Sequence, residues 1–285
     1  MQFNSDKEMS SPIVIFLHIP KAAGTTLRDI LYRRYEKGHI YELDGQNFVQ
    51  SIEDFKQLPA KEKDEIRLLM GHMYFGLHEY LSSPSTYITM LRNPVKKVIS
   101  YYHFISRKSN HPDYELIKSQ DISLKSYCAM NRANMTNAQT RFLAGEDFSN
   151  VNNESKMLEQ AKKNLQEHFS VVGITERFDE TLILMKQKLG WDSYPYYYRR
   201  NTNRNIGYAQ LQISEDTLAT IREYNQLDIE LYEYANELFE RDLSVNNNSK
   251  LKREASRFSF LNGIYGKYST FTQKLIFKQG KIKSK

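Results

Sequence analysis

Ile13-Val-Ile-Phe-Leu-His18-Ile-Pro-Lys21-Ala-Ala-Gly24-Thr25-Thr26-Leu27 is the stretch whose reading decides the fold. Residues 13–19 form an apolar run suited to a strand buried on both faces. Pro20 to Gly24 break that run. A helix is predicted from Thr25, with Leu27, Ile30, Leu31 and Tyr35 at helical spacing and Gly38 as its stop signal. Strand, short glycine-containing turn and helix open a βαβ unit. In such a turn, backbone N–H groups and the helix dipole favour an anion. Lys21 adds a mobile positive charge, and Thr25 and Thr26 add hydroxyl donors. The Walker order GxxxxGK[ST] is absent, and an ordinary βα turn with a solvated lysine fits the same spacing.

Outward from this unit the pattern recurs. Residues 67–71 read as a short strand ending at Gly71-His72, and 87–91 as a second β-rich run. Asn93 follows as N-cap with Pro94 at the first helical position, and Val95, Val98, Ile99 and Tyr102 give that helix its apolar stripe. Helices are predicted near 124–130, 137–143 and 155–168, a buried strand at 170–174, and a helix at 178–189. A tyrosine-rich strand is expected at 194–198, leading into a polar loop at 199–207. Ser214 caps one long helix carrying Leu218, Ile221, Leu227, Leu231, Tyr234 and Leu238. Alternating strands and helices argue an α/β domain with a mainly parallel sheet over 13–243. An N-terminal extension (1–12) precedes it, and a linker (244–249) and a basic, aromatic tail (250–285) follow.

The chain has 285 residues, 40% hydrophobic and 26% charged, a globular balance. A chain of this size buries roughly 75% of its unfolded surface, so it needs no metal or disulfide staple. The single cysteine, Cys128, excludes an intrachain disulfide and any multi-cysteine metal cluster. No run approaches the roughly 20 apolar residues of a membrane span. MQFNSDKEMSSP lacks the apolar core of a signal peptide, so a reduced, cytoplasmic location is expected. The net charge of +6 is uneven: residues 250–285 hold ten Lys/Arg against Glu254 alone, a balance of +9, which leaves the rest at −3. The high pI belongs to the tail, and no nucleic-acid partner is expected for the body.

A second anion site is expected at Met90-Leu91-Arg92-Asn93-Pro94, where Arg92 would bind a phosphate bidentately and Ser100, about two turns on, would add a hydrogen bond. A surface ion pair is the alternative for Arg92. The sequence offers no convincing metal-ligand cluster.

Taken together, HIPKAAGTTL (18–27), GHMYFGLH (71–78), LRNPVKKVISYYHF (91–104), TNAQTRFLAG (136–145) and, more weakly, VGITERFDETLILMKQKLGW (172–191) resemble the carbohydrate O-sulfotransferases of the heparan sulfate 2-O-/chondroitin group and their bacterial relatives. The resemblance implies a P-loop-like, three-layer α/β domain and the sulfuryl donor 3′-phosphoadenosine-5′-phosphosulfate (PAPS), with no metal. It places Lys21, Ala22, Ala23, Gly24, Thr25 and Thr26 in the 5′-phosphosulfate loop, and Arg92 and Ser100 at the 3′-phosphate. His72 takes the catalytic base position, and Lys21 follows charge onto the leaving phosphate oxygen. Some members carry a second histidine where this chain has Met70, and relatives often have Thr or Gly where it has Ala22-Ala23. The implied acceptor is a carbohydrate hydroxyl, on a polysaccharide or glycolipid.

Other conspicuous residues stay open. His18 orients the loop, packs in the core or takes part in catalysis; His78, on a predicted helix, is structural or lines the substrate. Gln139 and Arg141 pack a helix or touch the donor. Arg199, Arg200 and Arg204 close over phosphate or an acidic acceptor, or lie in a solvated loop. The tail, with Phe258, Phe260, Leu261, Ile264, Tyr265, Tyr268, Phe271, Leu275, Ile276 and Phe277 among its cations, suits the anionic inner face of a membrane. Alternatively it packs on the body or recruits an acidic glycan. Two rival functions remain: a P-loop nucleotide kinase and an inactive glycan-binding module on the same fold.

Overall fold

A computed structural model describes residues 12–45, 47–145, 154–198, 213–245 and 248–282, and the side chains among these except those of 248 and 267–282. The expected loop at 199–207, and with it Arg199, Arg200 and Arg204, lies outside the described residues, as do the side chains of Tyr268, Phe271, Leu275, Ile276 and Phe277.

Five parallel strands form one sheet in the order β2-β3-β1-β4-β5: β1 Ile13–Leu17, β2 Ile40–Glu42, β3 Leu68–Gly71, β4 Ser85–Leu91 and β5 Phe169–Ile174. Every residue of β1 and β3 is buried, because helices cover both faces of a parallel sheet. The helices are α1 Gly24–Leu31, α2 Phe48–Gln57, α3 Ala60–Asp64, α4 Pro94–Ile105, α5 Tyr114–Ser119, α6 Leu124–Ala129, α7 Ala138–Ala144, α8 Glu154–His168, α9 Phe178–Lys188, α10 Glu215–Glu223, α11 Gln226–Val245 and α12 Asn248–Ile282. β1 lies at the centre, with the chain first building to one side of it and then to the other. Ligands bind such sheets outside the carboxyl ends of the strands, where the order reverses. The loops after β1, β3 and β4 all open there.

The predicted central elements are present, including the Asn93 cap, whose side chain accepts from Lys96 N. The expected strand at 194–198 is not: this extended segment pairs with no strand among the described residues. Side chains satisfy its main chain in place of a ladder. Arg34 donates to the carbonyls of Ser193 (2.9 Å) and Tyr194 (2.7 Å), Arg33 to that of Tyr196 (2.5 Å), and Tyr197 N donates to Asn262 Oδ1 (2.8 Å).

The single long helix expected after Ser214 is two. Ser214 does cap α10, accepting from Thr217 N, but Tyr224 and the buried Asn225 form a turn before α11. Part of the expected tail packs on the body. Helix runs to Val245 and resumes at Asn248, and Leu251, Ala255 and Phe258 are buried in the main core. Phe258 lies against Tyr194, Tyr196 and Tyr197, and Tyr265 stacks on Tyr196 at 5.3 Å. Among the described residues no helix is long and apolar enough to cross a membrane.

Candidate active site

The loop after β1 is held in an unusual backbone. Lys21 (φ 67°) and Ala23 (φ 60°) both adopt positive φ, with buried Ala22 between them. Alternation of this kind turns successive amides toward one concavity, the geometry of an anion nest. At the head of α1 the Thr26 amide donates to the Ala23 carbonyl (3.1 Å), and the amides ahead of it add their partial positive charge. Thr25 is exposed and Thr26 half-buried at the head of that helix.

Gly24 is required by His18. A Cβ at Gly24 would lie 1.9 Å from the His18 ring, which stacks on Phe16 beneath the loop. Gly24→Ala is therefore expected to destabilise the protein by about 1–3 kcal/mol through overpacking. Thermal unfolding of Gly24→Ala and of the double variant Gly24→Ala/His18→Ala checks this. The second change removes the ring and should recover part of the loss, whereas purely additive losses would deny the contact.

His72 follows β3 directly. Gly71, at φ 144°, admits the close approach of Leu43, whose Cβ would lie 2.7 Å from any Cβ there. The His72 ring tilts against that of His18, with centroids 4.4 Å apart, and its Nδ1 lies 2.6 Å from the carbonyl oxygen of His18. A carbonyl only accepts, so Nδ1 carries the hydrogen and Nε2 keeps its lone pair. Burial lowers the His72 pKa, opposed by the bond to His18 and by the Glu42 carboxylate. His18 is held further below its usual value, by burial first and then by His72, Arg28 and Lys21. Both shifts favour the uncharged rings, and the bond to the His18 carbonyl puts uncharged His72 in the tautomer of a base.

Arg92 joins the two expected anion sites. Its Nη1 donates to the Lys21 carbonyl at 2.9 Å, while its own main chain is gripped by Gln139: Arg92 N donates to Oε1 (2.9 Å), and Nε2 donates to Arg92 O (3.0 Å). Lys21 Nζ lies 4.4 Å from the centroid of the Phe104 ring. Burial lowers its pKa to about 8, and the cations Arg92, Arg107 and Lys108 add to that effect. Cations repelling one another at the head of a helix make a site prepared for a polyanion. Ser100 is half-buried and shares a helix face with Phe104, four residues on. No described contact ties Ser100 to Arg92.

The structure thus brings Lys21, Gly24, His72 and Arg92 to one end of the sheet. His78 sits apart, in a short 3-10 turn at Leu77–Tyr80, against Tyr87 and His168. Among the described residues no group of three or more His, Cys, Asp or Glu is placed to hold a metal ion.

The profile of the galactose-3-O-sulfotransferase family matches residues 4–263 of this chain. The chain belongs to that family. Among its relatives, galactose-3-O-sulfotransferase 3 of Homo sapiens is 26% identical over 270 residues, 88% of this chain and 62% of the relative. Heparan sulfate 2-O-sulfotransferase 1 of Gallus gallus is 25% identical over 265 residues, 82% of this chain and 72% of the relative. Mouse sulfotransferase SULT7A1 complexed with PAP aligns over 86% of this chain and 89% of that one, at 15% identity and a TM-score of 0.37. The chain spans 62%, 60% and 59% of the human, bovine and mouse galactose-3-O-sulfotransferases 3. Within the motif at 136–145, the buried Gln139 side chain bonds both main-chain groups of Arg92. Two partners escaped the sequence, the His18 carbonyl and the buried carboxylate Asp228. The first is a backbone atom and the second lies 89 residues from Gln139.

Proposed function

We propose that the protein moves the sulfuryl group of PAPS to a hydroxyl of a carbohydrate acceptor. The observation that carries this reading is the Arg92–Lys21 hydrogen bond, which joins the residues of two strand ends at the end of the sheet where His72 also lies. In the reaction, His72 Nε2 takes the acceptor's proton as its oxygen forms the new S–O bond. The bond from sulfur to the bridging oxygen breaks, and Lys21 neutralises the charge growing on the departing phosphate. By analogy with phosphoryl transfer the transition state is loose, so catalysis is largely positioning and charge stabilisation. The loop from Lys21 to Thr26 would hold the 5′-phosphosulfate, and Arg92 with Ser100 the 3′-phosphate. The scheme needs no metal. The family description makes galactose the first acceptor to try.

The test is incubation with PAPS carrying labelled sulfate and a panel of galactosides and heparan-type glycans, followed by location of the label. Transfer to a sugar hydroxyl is expected. Magnesium-dependent ATP turnover without sulfation would select a kinase, and glycan binding without PAPS binding an inactive module.

The tail bears on where this happens. One stripe of α12, Leu251, Ala255, Phe258, Asn262 and Tyr265, meets the body, while exposed Arg253, Arg257, Phe260 and Ile264 recur at spacings of three and four on another. Phe260 is 71% exposed. Apolar side chains among cations suit an anionic membrane surface, and we assign that face to one. Because Leu251 and Phe258 are core residues, deleting the tail would unfold the body. The double variant Phe260→Asp/Ile264→Asp is the proper test. It should lower co-sedimentation with phosphatidylserine vesicles at low salt about tenfold or more, with activity on a soluble acceptor retained. Unchanged sedimentation, or none by the wild type, would refute the assignment.

A further inference from the structure

Helices α7 and α11 meet N-terminus to N-terminus and cap each other. Asp228, in the first turn of α11, accepts from Gln139 N (3.1 Å) at Oδ2 and from Thr140 N and Thr140 Oγ1 (both 2.8 Å) at Oδ1. In return Asn137 Oδ1 accepts from Leu227 N (3.1 Å) and Asp228 N (3.3 Å), and Asn225 Oδ1 accepts from Asn137 N (3.1 Å). Gln139, Thr140 and Asp228 are fully buried, and Asn137 and Asn225 nearly so. Lys97, also buried and on the same helix as Ser100 and Phe104, donates from Nζ to Asn134 O (3.3 Å); burial lowers its pKa, and Asp228 opposes that shift.

A neutral cap would satisfy the end of a short helix. A buried carboxylate does something more: away from water, shifting it sideways loses several charge-assisted bonds at once, so the groups it holds keep their places. Thr140 is held by two of these bonds and Gln139 by one, and it is Gln139 whose side chain clasps both main-chain groups of Arg92. The chain of contacts therefore runs from α11 through Asp228 and Gln139 to the end of β4, where the guanidinium of Arg92 begins.

We propose that Asp228 and Gln139 are positioning residues for recognition of the donor's 3′-phosphate, because they fix the main chain from which Arg92 reaches. The inference rests on the role given to Arg92 under the proposed function. Neither residue touches the donor. Their loss should blunt discrimination between nucleotides with and without a 3′-phosphate, leaving the 5′ contacts in place.

The experiment is titration calorimetry of the full chain with adenosine 3′,5′-bisphosphate and with adenosine 5′-phosphate. Wild type should strongly prefer the bisphosphate. Gln139→Leu keeps the backbone cap and removes only the two bonds to Arg92. It should lower the preference about tenfold, with affinity for adenosine 5′-phosphate within about twofold of wild type. Asp228→Asn, which aims an amide hydrogen at one of the donors, should move the ratio in the same direction. A folded Gln139→Leu with an unchanged ratio overturns the proposal. So does a Gln139→Leu chain that cannot fold, since Gln139 would then be a determinant of the fold and not of recognition. A wild type with no preference would instead refute the 3′-phosphate role of Arg92 itself.

Discussion

His72→Ala lowers turnover about 10²–10⁴-fold while leaving the affinity for adenosine 3′,5′-bisphosphate close to wild type; that is the expected result of removing the general base. Three features of the site set it. The ring follows β3 directly, the His18 carbonyl fixes its hydrogen on Nδ1, and burial lowers its pKa, favouring the uncharged form. The geometry leaves Nε2 as the one atom of the ring able to take a proton. Because burial lowers the pKa, protonation that silences the base should begin below about pH 6.5, and kcat/KM should fall on that acid side. His72→Asn is a useful companion, since it fills similar space but supplies no base at this pH. Turnover near wild type in either variant removes His72 from the mechanism, and a lost acid limb without lost turnover would assign that limb to another group.

Lys21→Ala carries the second large effect, a fall in kcat of about 10–150-fold that saturating donor does not restore. The magnitude is that of a charge-assisted hydrogen bond, and it appears in kcat because Lys21 meets charge that grows only as the sulfuryl group leaves. Its pKa, lowered to about 8 by burial and by neighbouring cations, sets a further expectation. A lysine loses its charge as pH rises through that value. Donor affinity and kcat/KM of the free enzyme should therefore decline above about pH 8. A bound polyanion favours the charged form, so the decline in kcat should lie at higher pH than that in kcat/KM. Lys21→Arg, which stays protonated, should abolish the alkaline limb even where it costs activity. A limb that persists in Lys21→Arg belongs to a different residue.

What the sequence by itself determined was written in local signals. An apolar run, a break holding Lys21 and Gly24, and a helical stripe were enough to place β1, the loop and the start of α1, because each is a property of neighbouring residues; the helix itself ends at Leu31, short of the expected stop at Gly38. Asn93-Pro94 declared the start of α4 for the same reason: a cap and a fixed φ act within one turn. His72 and Arg92 were legible as strand-end residues, and their motifs carried the resemblance that the family match then supported.

Tertiary structure alone decided how those residues work. Arg92 and Lys21 are 71 positions apart, His72 and His18 are 54, and Gln139 and Arg92 are 47. No periodicity records a partner at that distance. The tyrosines at 194–198 show the same limit from the other side. Their β propensity measures fitness for a half-buried surface, and burial against α12 met that need, while arginines took up carbonyls that a ladder would have used. The helix expected to continue after Ser214 breaks because Asn225 is held by Asn137, far back in the chain. Local propensity fixes which segments are ordered; which polar group each buried atom meets is settled only when the sheet brings distant loops to one edge, because a buried donor or acceptor must find its partner wherever the fold supplies one.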